Sequence, residues 1–247
     1  MSEFKMPTET IELPSKGLLY PESNPLSSGK IEMKYMTAKE EDILTNQSYI
    51  KQGIVIDKLV QSLIVSDINY DDLLIGDKDA ILVAARILGY GKDYEFNYMG
   101  ESYVVDLTTL EPKEFDEKTI KRGVNSFDYV VPSTETKITY KILTHGDEKL
   151  IEKELEGLRK INKDSSSEVS TRLKYMITAV EGDTNPKSIR DFVDNYLLAR
   201  DARAFRKHVN NIQPGVNTVF TTNSGEEVAL PVDLSFFWPD LWDSTAG

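Results

Sequence analysis

The sequence contains a long internal repeat. Residues 30–41, KIEMKYMTAKEE, align with residues 137–148, KITYKILTHGDE, so that apolar, lysine, threonine and acidic positions keep register. Further matches follow in the same order: Leu13-Pro14-Ser15 with Val131-Pro132-Ser133, Leu73-Leu74 with Leu197-Leu198, Asp77 with Asp201, Phe96 with Phe220, and Val105-Asp106-Leu107 with Val232-Asp233-Leu234. A repeat of about 110 residues is the size of a domain, so it indicates a duplication and not a solenoid, whose periods are roughly 20 to 50 residues.

The first copy has the pattern of a strand, helices and a β-hairpin. Residues 30–36 alternate polar with apolar side chains, which predicts a half-buried strand. Thr37 begins a Thr-x-x-Glu sequence, the pattern of a helix cap. Residues 54–65 and 77–88 predict two further helices, the second capped by Asp77. A hairpin is predicted around Gly100.

The second copy repeats this order. Residues 137–143 predict a strand, and Thr144 caps a helix that runs to residue 160. Residues 172–180 and 186–211 predict helices, with a break in the latter near Asp201. A hairpin follows, with strands at residues 219–222 and 227–230 and a turn at Asn223-Ser224-Gly225.

These patterns predict an α+β fold made of two tandem copies of a strand–helix–helix–β-hairpin unit, related by a pseudo-twofold axis. The first copy occupies residues 15–122 and is preceded by an arm, residues 1–14. We expect the arm to be extended because Pro7 and Pro14 disfavour a helix. The second copy occupies residues 123–247 and ends in an aromatic tail. Two similar units can bury equivalent faces against each other and leave two similar binding surfaces, which suits an adaptor better than an active site.

Composition narrows the functional classes. Of 247 residues 40% are hydrophobic, enough for a buried core, and no segment has the length and apolar character of a membrane span or signal peptide. We therefore expect a cytosolic location. The chain has no cysteine and two histidines, His145 and His208, so we expect no metal and no cofactor. A net charge of −12 disfavours nucleic acid as a partner.

No phosphate-binding, zinc-protease or nucleophile-elbow motif is present, and we predict no catalytic residue and no enzyme activity. The acidic clusters at residues 40–42, 71–79 and 147–148 offer carboxylates for acid–base or metal chemistry. Each also lies at a predicted helix start, where the helix dipole favours negative charge, and this second explanation is preferred. Both histidines are expected to be solvated or at the edge of the core.

Two segments are candidates for partner binding. Aromatic residues crowd the C-terminal tail, where they either contact a partner or close the core of the second copy; they are Phe236, Phe237, Trp238 and Trp242. Cations recur along the predicted helix at residues 186–211, where they either bind an acidic partner or form a solvated face; they are Arg190, Arg200, Arg203, Arg206 and Lys207. We select Arg200, Arg203 and Arg206 together with the four aromatic residues.

Several runs in the second copy resemble the T-even-type baseplate hub and hub-assembly proteins of contractile-tailed phages. The runs are IRDFV at residues 189–193, RDARAFR at 200–206, QPGV at 213–216, and LPV at 230–232 followed by FFWP at 236–239. In the first copy the resemblance rests on the Leu-Pro-Ser segment, the Lys-Ile-x-x-Lys-x-Met-Thr segment and the helix start at residues 76–79.

Many members of that family carry Cys-x-x-Cys at each hairpin tip, which implies a zinc ion shared by the two halves. Here the tips read Tyr98-Met99-Gly100 and Thr222-Asn223-Ser224, so the zinc site is not carried over. If the hairpins still meet, packing by Tyr98, Met99 and Tyr103 has to replace the metal.

The resemblance implies a structural or assembly protein of a phage tail baseplate hub, active by protein–protein binding. Its partners would be other tail or hub proteins, with the tape-measure protein as a further candidate, and its location the host cytoplasm during assembly and then the virion baseplate. An alternative is a transient tail-assembly chaperone that is absent from the mature virion. A third hypothesis is an acid-dependent hydrolase that uses the carboxylates at residues 71–79.

Overall fold

The computed structural model describes residues 6–161, 167–232 and 234–237. The strands are β1 (Thr8–Glu12), β2 (Lys30–Lys34), β3 (Asp93–Tyr98), β4 (Glu101–Asp106), β5 (Phe127–Val130), β6 (Lys137–Tyr140), β7 (Ile177–Val180), β8 (Val219–Thr221) and β9 (Glu227–Ala229). The helices are α1 (Ala38–Leu44), α2 (Gln47–Lys51), α3 (Val55–Leu63), α4 (Ile75–Tyr90), α5 (His145–Ile161), α6 (Glu168–Met176), α7 (Pro186–Asp191) and α8 (Ala199–Ile212). The chain is thus α+β with small antiparallel sheets, as predicted.

The described part of the arm, residues 6–14, contains the strand β1. β1 pairs antiparallel with β2 and places Ile11 opposite Ile31. On the other side of β2, Met33 forms a bridge with Ile64, and the N–H of Val65 donates to the carbonyl of Glu32 at 2.8 Å. β2 therefore has partners on both edges, and residues 8–12 of the arm pair with their own chain.

The second half contains a three-stranded sheet in the order β5-β6-β7. The predicted helix at residues 172–180 is wrong beyond Met176, because the next four residues form β7. The sequence Ile-Thr-Ala-Val favours a strand, and pairing with β6 buries Ile177 and Ala179. β6 itself ends at Tyr140, three residues earlier than predicted.

The helical stretch that was predicted from residue 186 breaks earlier than Asp201. α7 runs into a π-helical turn at Phe192–Tyr196, and Leu197 and Leu198 are extended before α8 begins. Asp201 lies inside the first turn of α8. The break therefore lies between α7 and α8. The arginine-rich segment after it forms one continuous helix, α8.

One hydrophobic cluster connects both halves of the chain. Its largest fully buried side chains include Tyr94 from β3 and Tyr140, Phe205, Phe236 and Phe237 from the second half. The ring of Tyr94 packs edge-on against Phe236 with centroids 4.8 Å apart, and its hydroxyl donates to the carbonyl of Pro231 at 3.1 Å. The two halves therefore share a core.

The first turn of α4 lies where the halves meet. The N–H of Ile75 donates to the carbonyl of Leu143 at 3.2 Å, and the N–H of His145 donates to the carbonyl of Leu73 at 2.7 Å. On another side Gly76 packs against the backbone, and a β-carbon at this position would lie 1.8 Å from the carbonyl oxygen of Pro214. Only glycine fits here. None of the helices in the described ranges has both the length and the apolar character to cross a membrane.

Candidate functional site

Thr37 caps α1, as predicted. The carboxylate of Glu40 accepts hydrogen bonds from the N–H of Thr37 at 3.0 Å and from its hydroxyl at 2.5 Å. Lys34 Nζ donates to the other oxygen of Glu40 at 2.8 Å. Burial opposes ionisation of Glu40, but the hydrogen bonds from Lys34 and Thr37 outweigh it and hold the pKa of Glu40 below its ordinary value. These three residues form the first Lys–Thr–acid cluster.

Thr144 caps α5 in the same way, which also confirms its predicted role. The carboxylate of Asp147 accepts from the N–H of Thr144 at 3.1 Å, and the N–H of Asp147 donates back to the hydroxyl of Thr144 at 3.3 Å. Lys141 Nζ donates to Asp147 at 2.8 Å. The second Lys–Thr–acid cluster therefore fixes the entry from β6 into α5.

Asp77 is not a cap, contrary to the prediction. It lies within the first turn of α4 with a fully buried side chain. Its carboxylate accepts hydrogen bonds from the N–H of Ser15 at 2.9 Å, the hydroxyl of Ser15 at 2.7 Å and the hydroxyl of Tyr20 at 2.6 Å. Burial raises the pKa of Asp77, and these hydrogen bonds partly oppose the rise. A carboxylate enclosed in this way anchors the Leu-Pro-Ser segment and cannot reach a substrate.

Asp201 forms a similar but less complete anchor in the second half. The hydroxyl of Ser133 donates to its Oδ1 at 2.9 Å, and Arg200 Nε donates to the same hydroxyl at 2.8 Å. Asp201 is 2% exposed, and its Oδ2 has no hydrogen-bond partner among the described residues. The sequence repeat aligns Ser15 with Ser133 and Asp77 with Asp201. Shared Ser and Asp positions of this kind are a sequence signal for the two Ser–Asp contacts.

A partly buried polar cluster surrounds the buried His145 at the start of α5. Its Nδ1 lies 3.1 Å from Lys78 Nζ, and its Nε2 lies 3.5 Å from an oxygen of Asp57 and 3.9 Å from Asp71. Lys78 Nζ donates to the other oxygen of Asp57 at 2.7 Å. The ring of Tyr70 packs edge-on against the imidazole with centroids 4.6 Å apart. Side chains from α3, α4 and α5 thus meet at one point.

The state of His145 follows from these neighbours. Burial lowers the pKa of His145, and the charge of Lys78 lowers it further, while Asp57 acts in the opposite direction. The imidazole is therefore neutral at pH 7. It accepts at Nδ1 from Lys78 and carries its proton on Nε2, directed toward Asp57. Sequence reasoning placed His145 at a cap turn or core edge and did not find these partners, which come from distant helices.

The two hairpins pack against each other through aromatic rings. Phe220 on β8 lies 4.8 Å from Phe96, 5.9 Å from Tyr98 and 5.2 Å from Tyr103, measured between ring centroids. The expectation that Tyr98 and Tyr103 pack where the hairpins meet is confirmed, but Met99 is 84% exposed and takes no part. Among the described residues no group of three or more His, Asp or Glu side chains is placed to hold a metal ion.

The prediction that Phe236 and Phe237 bind a partner is wrong, because these side chains are 0% and 1% exposed. They lie in a short 3-10 turn and close the core, the alternative that the sequence left open. Trp238 and Trp242, the other two aromatic residues of the predicted site, lie outside the described residues.

The basic residues of α8 point away from the core. Arg200, Arg203 and Arg206 are all exposed, whereas Phe205 and Val209 on the opposite side of the helix are buried. Arg206 lies at the flank and donates from Nε to the carbonyl of Ala202 at 3.3 Å within its own helix. Arg190 does not belong to this face. It lies on α7 and forms an ion pair with Glu154 at 2.6 Å. The helix therefore carries an exposed basic face.

A groove of about 500 Å³ lies beside the arm, lined by apolar side chains that include Leu13, Ala80 and Leu110. Two lysines at its rim are already paired, Lys16 with Glu117 at 2.5 Å and Lys30 with Glu12 at 3.0 Å. The positive charges of both lysines at the rim are thus neutralised by glutamates, and we assign the groove no acid–base chemistry.

No protein-family model matches this chain, and neither a curated protein nor a solved structure matches it significantly. The described geometry defines an α+β chain whose two halves share a core and meet at the polar cluster around His145, and whose basic face on α8 is exposed.

Proposed function

We propose that the protein is a structural or assembly component of a phage tail baseplate hub that acts by binding other tail proteins. The proposal rests on the sequence resemblance and on the use that the chain makes of its polar groups. The groups that first suggested chemistry, Asp77 and His145, are buried and engaged with their own chain. What remains open to other molecules is protein surface, above all the basic face of α8.

We also propose that the chain arose by duplication of one unit. The two Lys–Thr–acid clusters and the two Ser–Asp pairs occupy positions that the repeat aligns. The strand that follows α6 pairs with β6, and residues 64–65, which follow α3, pair with β2 in the corresponding place. Three kinds of contact, each present once in either half at matching positions, support a common unit better than a chance likeness of short motifs. An experimental structure in which residues 30–107 and 137–234 cannot be superposed would refute the duplication.

The observation that carries the binding function is the open basic face on a chain whose net charge is −12. Exposed arginines are enriched at protein interfaces, where the guanidinium group binds carboxylates with two parallel hydrogen bonds. On the opposite side of α8, Phe205 and Val209 are buried in the core and hold the helix that carries this face.

Two measurements test the proposal. Affinity capture from infected host cells, with the full chain as bait, is expected to recover baseplate hub or tape-measure proteins, and recovery of neither would refute it. Mass spectrometry of purified particles then distinguishes the two forms of the proposal. A structural part is retained in the virion, whereas a transient assembly chaperone is found only in the cytoplasm of infected cells.

A further inference from the structure

Four exposed residues of α8 form a straight row. Arg200, Arg203, Lys207 and Asn210 follow one another at intervals of three, four and three residues, so each successive turn of the helix presents one of them. The row extends over roughly 15 Å at 1.5 Å per residue. At its end Lys113 Nζ approaches the side-chain oxygen of Asn210 at 3.5 Å, which places a further cation beside the row.

Within the described part of the chain, no acidic side chain pairs with the cations of this row. Among the described residues Arg203 and Lys207 make no hydrogen bond or ion pair, and Arg200 uses only its Nε, toward Ser133. Three cations on neighbouring helices of the second half are paired: Arg172 with Glu148, Lys174 with Asp194, and Arg190 with Glu154. The exposed cations of α8 therefore have no exposed acidic residue beside them on their own helix, since its one carboxylate, Asp201, is 2% exposed.

We propose that this row binds an acidic amphipathic helix of a partner protein. The inference rests on the proposed function and adds the chemistry of the partner. Carboxylates that recur every three and four residues on one face of a helix match the row in spacing and sign. The row is too short for a long polyanion, and a net charge of −12 disfavours binding of such a molecule over a larger area. A protein helix presents its negative charge over the same few turns and fits better than nucleic acid.

The probe is an alanine-based helical peptide of about 20 residues whose glutamates recur at three- and four-residue intervals on one face. The control peptide has the same composition with its glutamates distributed around the helix. Binding to the full chain is measured by fluorescence anisotropy at low and physiological ionic strength. We expect the one-faced peptide to bind more tightly than the control, and its affinity to fall as salt is added. Equal affinities for the two peptides would overturn the proposal.

Charge reversal locates the site. Arg200→Glu, Arg203→Glu and Lys207→Glu combined are expected to weaken binding of the one-faced peptide by roughly tenfold or more. The matched control reverses three exposed cations of α5, Lys153→Glu, Arg159→Glu and Lys160→Glu, with the same change in net charge. This control is expected to change affinity by no more than about twofold. An equal loss in both variants would mean that the overall charge and not the row is responsible.

A second variant controls for the possibility that the triple variant does not fold. Because Arg200 contacts Ser133, the pair Arg203→Glu and Lys207→Glu leaves that contact intact and is expected to weaken binding as well. Two other results would overturn the inference. One is a dimer of the unmodified chain that the α8 variant abolishes in analytical ultracentrifugation, since the row would then bind a second copy. The other is tighter binding of a short DNA duplex than of the one-faced peptide.

Failure here is distinguishable from failure of the proposed function. If the α8 variant still captures hub or tape-measure proteins from infected cells, the protein is a tail component whose partners bind elsewhere. If the unmodified chain captures neither, the proposed function itself is refuted, whatever the peptides show.

Discussion

The hydroxyl of Tyr20 donates a hydrogen bond of 2.6 Å to the carboxylate of Asp77, a residue 57 positions later in the chain. The same hydroxyl oxygen accepts from the N–H of Leu74 at 2.9 Å. Tyr20 therefore links the loop after the arm both to the first turn of α4 and to the residue that precedes the helix. Burial and the neighbouring charge of Asp77 raise the pKa of Tyr20, so the phenol remains a donor throughout the physiological range.

Removal of the Asp77 carboxylate is expected to be costly. Asp77→Ala leaves the N–H of Ser15 and the hydroxyls of Ser15 and Tyr20 without their acceptor in a buried place, and we expect a loss of about 3 kcal/mol in the free energy of unfolding. Asp201→Ala removes one such hydrogen bond and is expected to cost about 1 kcal/mol. Urea denaturation measures both. Asp42→Ala, at an exposed position, serves as the control and is expected to stay within about 0.5 kcal/mol. Equal losses at Asp77 and Asp42 would contradict the anchor.

The environment of His145 predicts a pH dependence of stability. Its pKa is lowered in the folded chain, so below the ordinary value of about 6.5 the unfolded state binds a proton that the folded state does not. The stability is therefore complete above that value and falls as the pH decreases toward the folded pKa. The groups that face the imidazole are Lys78, Asp57, Asp71, Lys149 and Tyr70.

Melting temperatures between pH 8 and about pH 5 test this dependence. His145→Gln is expected to flatten the decline, whatever its effect on the melting temperature at pH 8. His208, whose pKa burial also lowers, contributes a share of its own, so the double variant with His208→Gln should show the flattest profile. An unchanged slope in His145→Gln would show that the histidine is not responsible.

Phe236 tests the correction made for the aromatic tail. Phe236→Ala opens a cavity beside Tyr94, and we expect the free energy of unfolding to decrease by about 3–5 kcal/mol. Met99→Ala, at the exposed hairpin tip, is the matched control and is expected to have little effect, within about 0.5 kcal/mol. A Phe236 variant of normal stability that loses a partner instead would restore the original prediction.

Two helical glycines are expected to respond in opposite directions to alanine. Gly76→Ala forces a β-carbon against the carbonyl oxygen of Pro214 and is expected to destabilise the chain by about 3 kcal/mol, the upper range for overpacking. Gly157→Ala, on α5, meets nothing within 4 Å and is expected to stabilise the chain by about 1 kcal/mol, because alanine is the better helix former. Thermal denaturation distinguishes them. A gain at both positions would mean that α4 and residue 214 are not in contact.

Local patterns predicted much of the fold and little of the site. Alternation in residues 30–36 and the Thr-x-x-acid sequences act within a few residues, so β2 and the caps at Thr37 and Thr144 could be inferred from the chain alone. The strand β7 could not, because its state depends on pairing with β6, which is distant in sequence.

The role of Asp77 was missed for a related reason. An aspartate at the start of a predicted helix is the residue type expected of a cap. Asp77 is instead a buried acceptor because the fold places Ser15 and Tyr20, which are distant in sequence, next to it. The aromatic tail was misassigned for the same reason. Phenylalanine is common both at interfaces and in cores, so the sequence alone could not show that Phe236 and Phe237 are buried.

The first turn of α4 touches Ser15, Leu143 and Pro214, which lie far before and far after it in the chain. While the protein is being made on the ribosome, this turn lacks Leu143 until the second half has begun and lacks Pro214 until most of that half has been translated. Folding therefore has to wait for late-arriving segments, and contacts between such distant residues make it slow. A first half released alone would expose the surface meant for the second and be prone to aggregation.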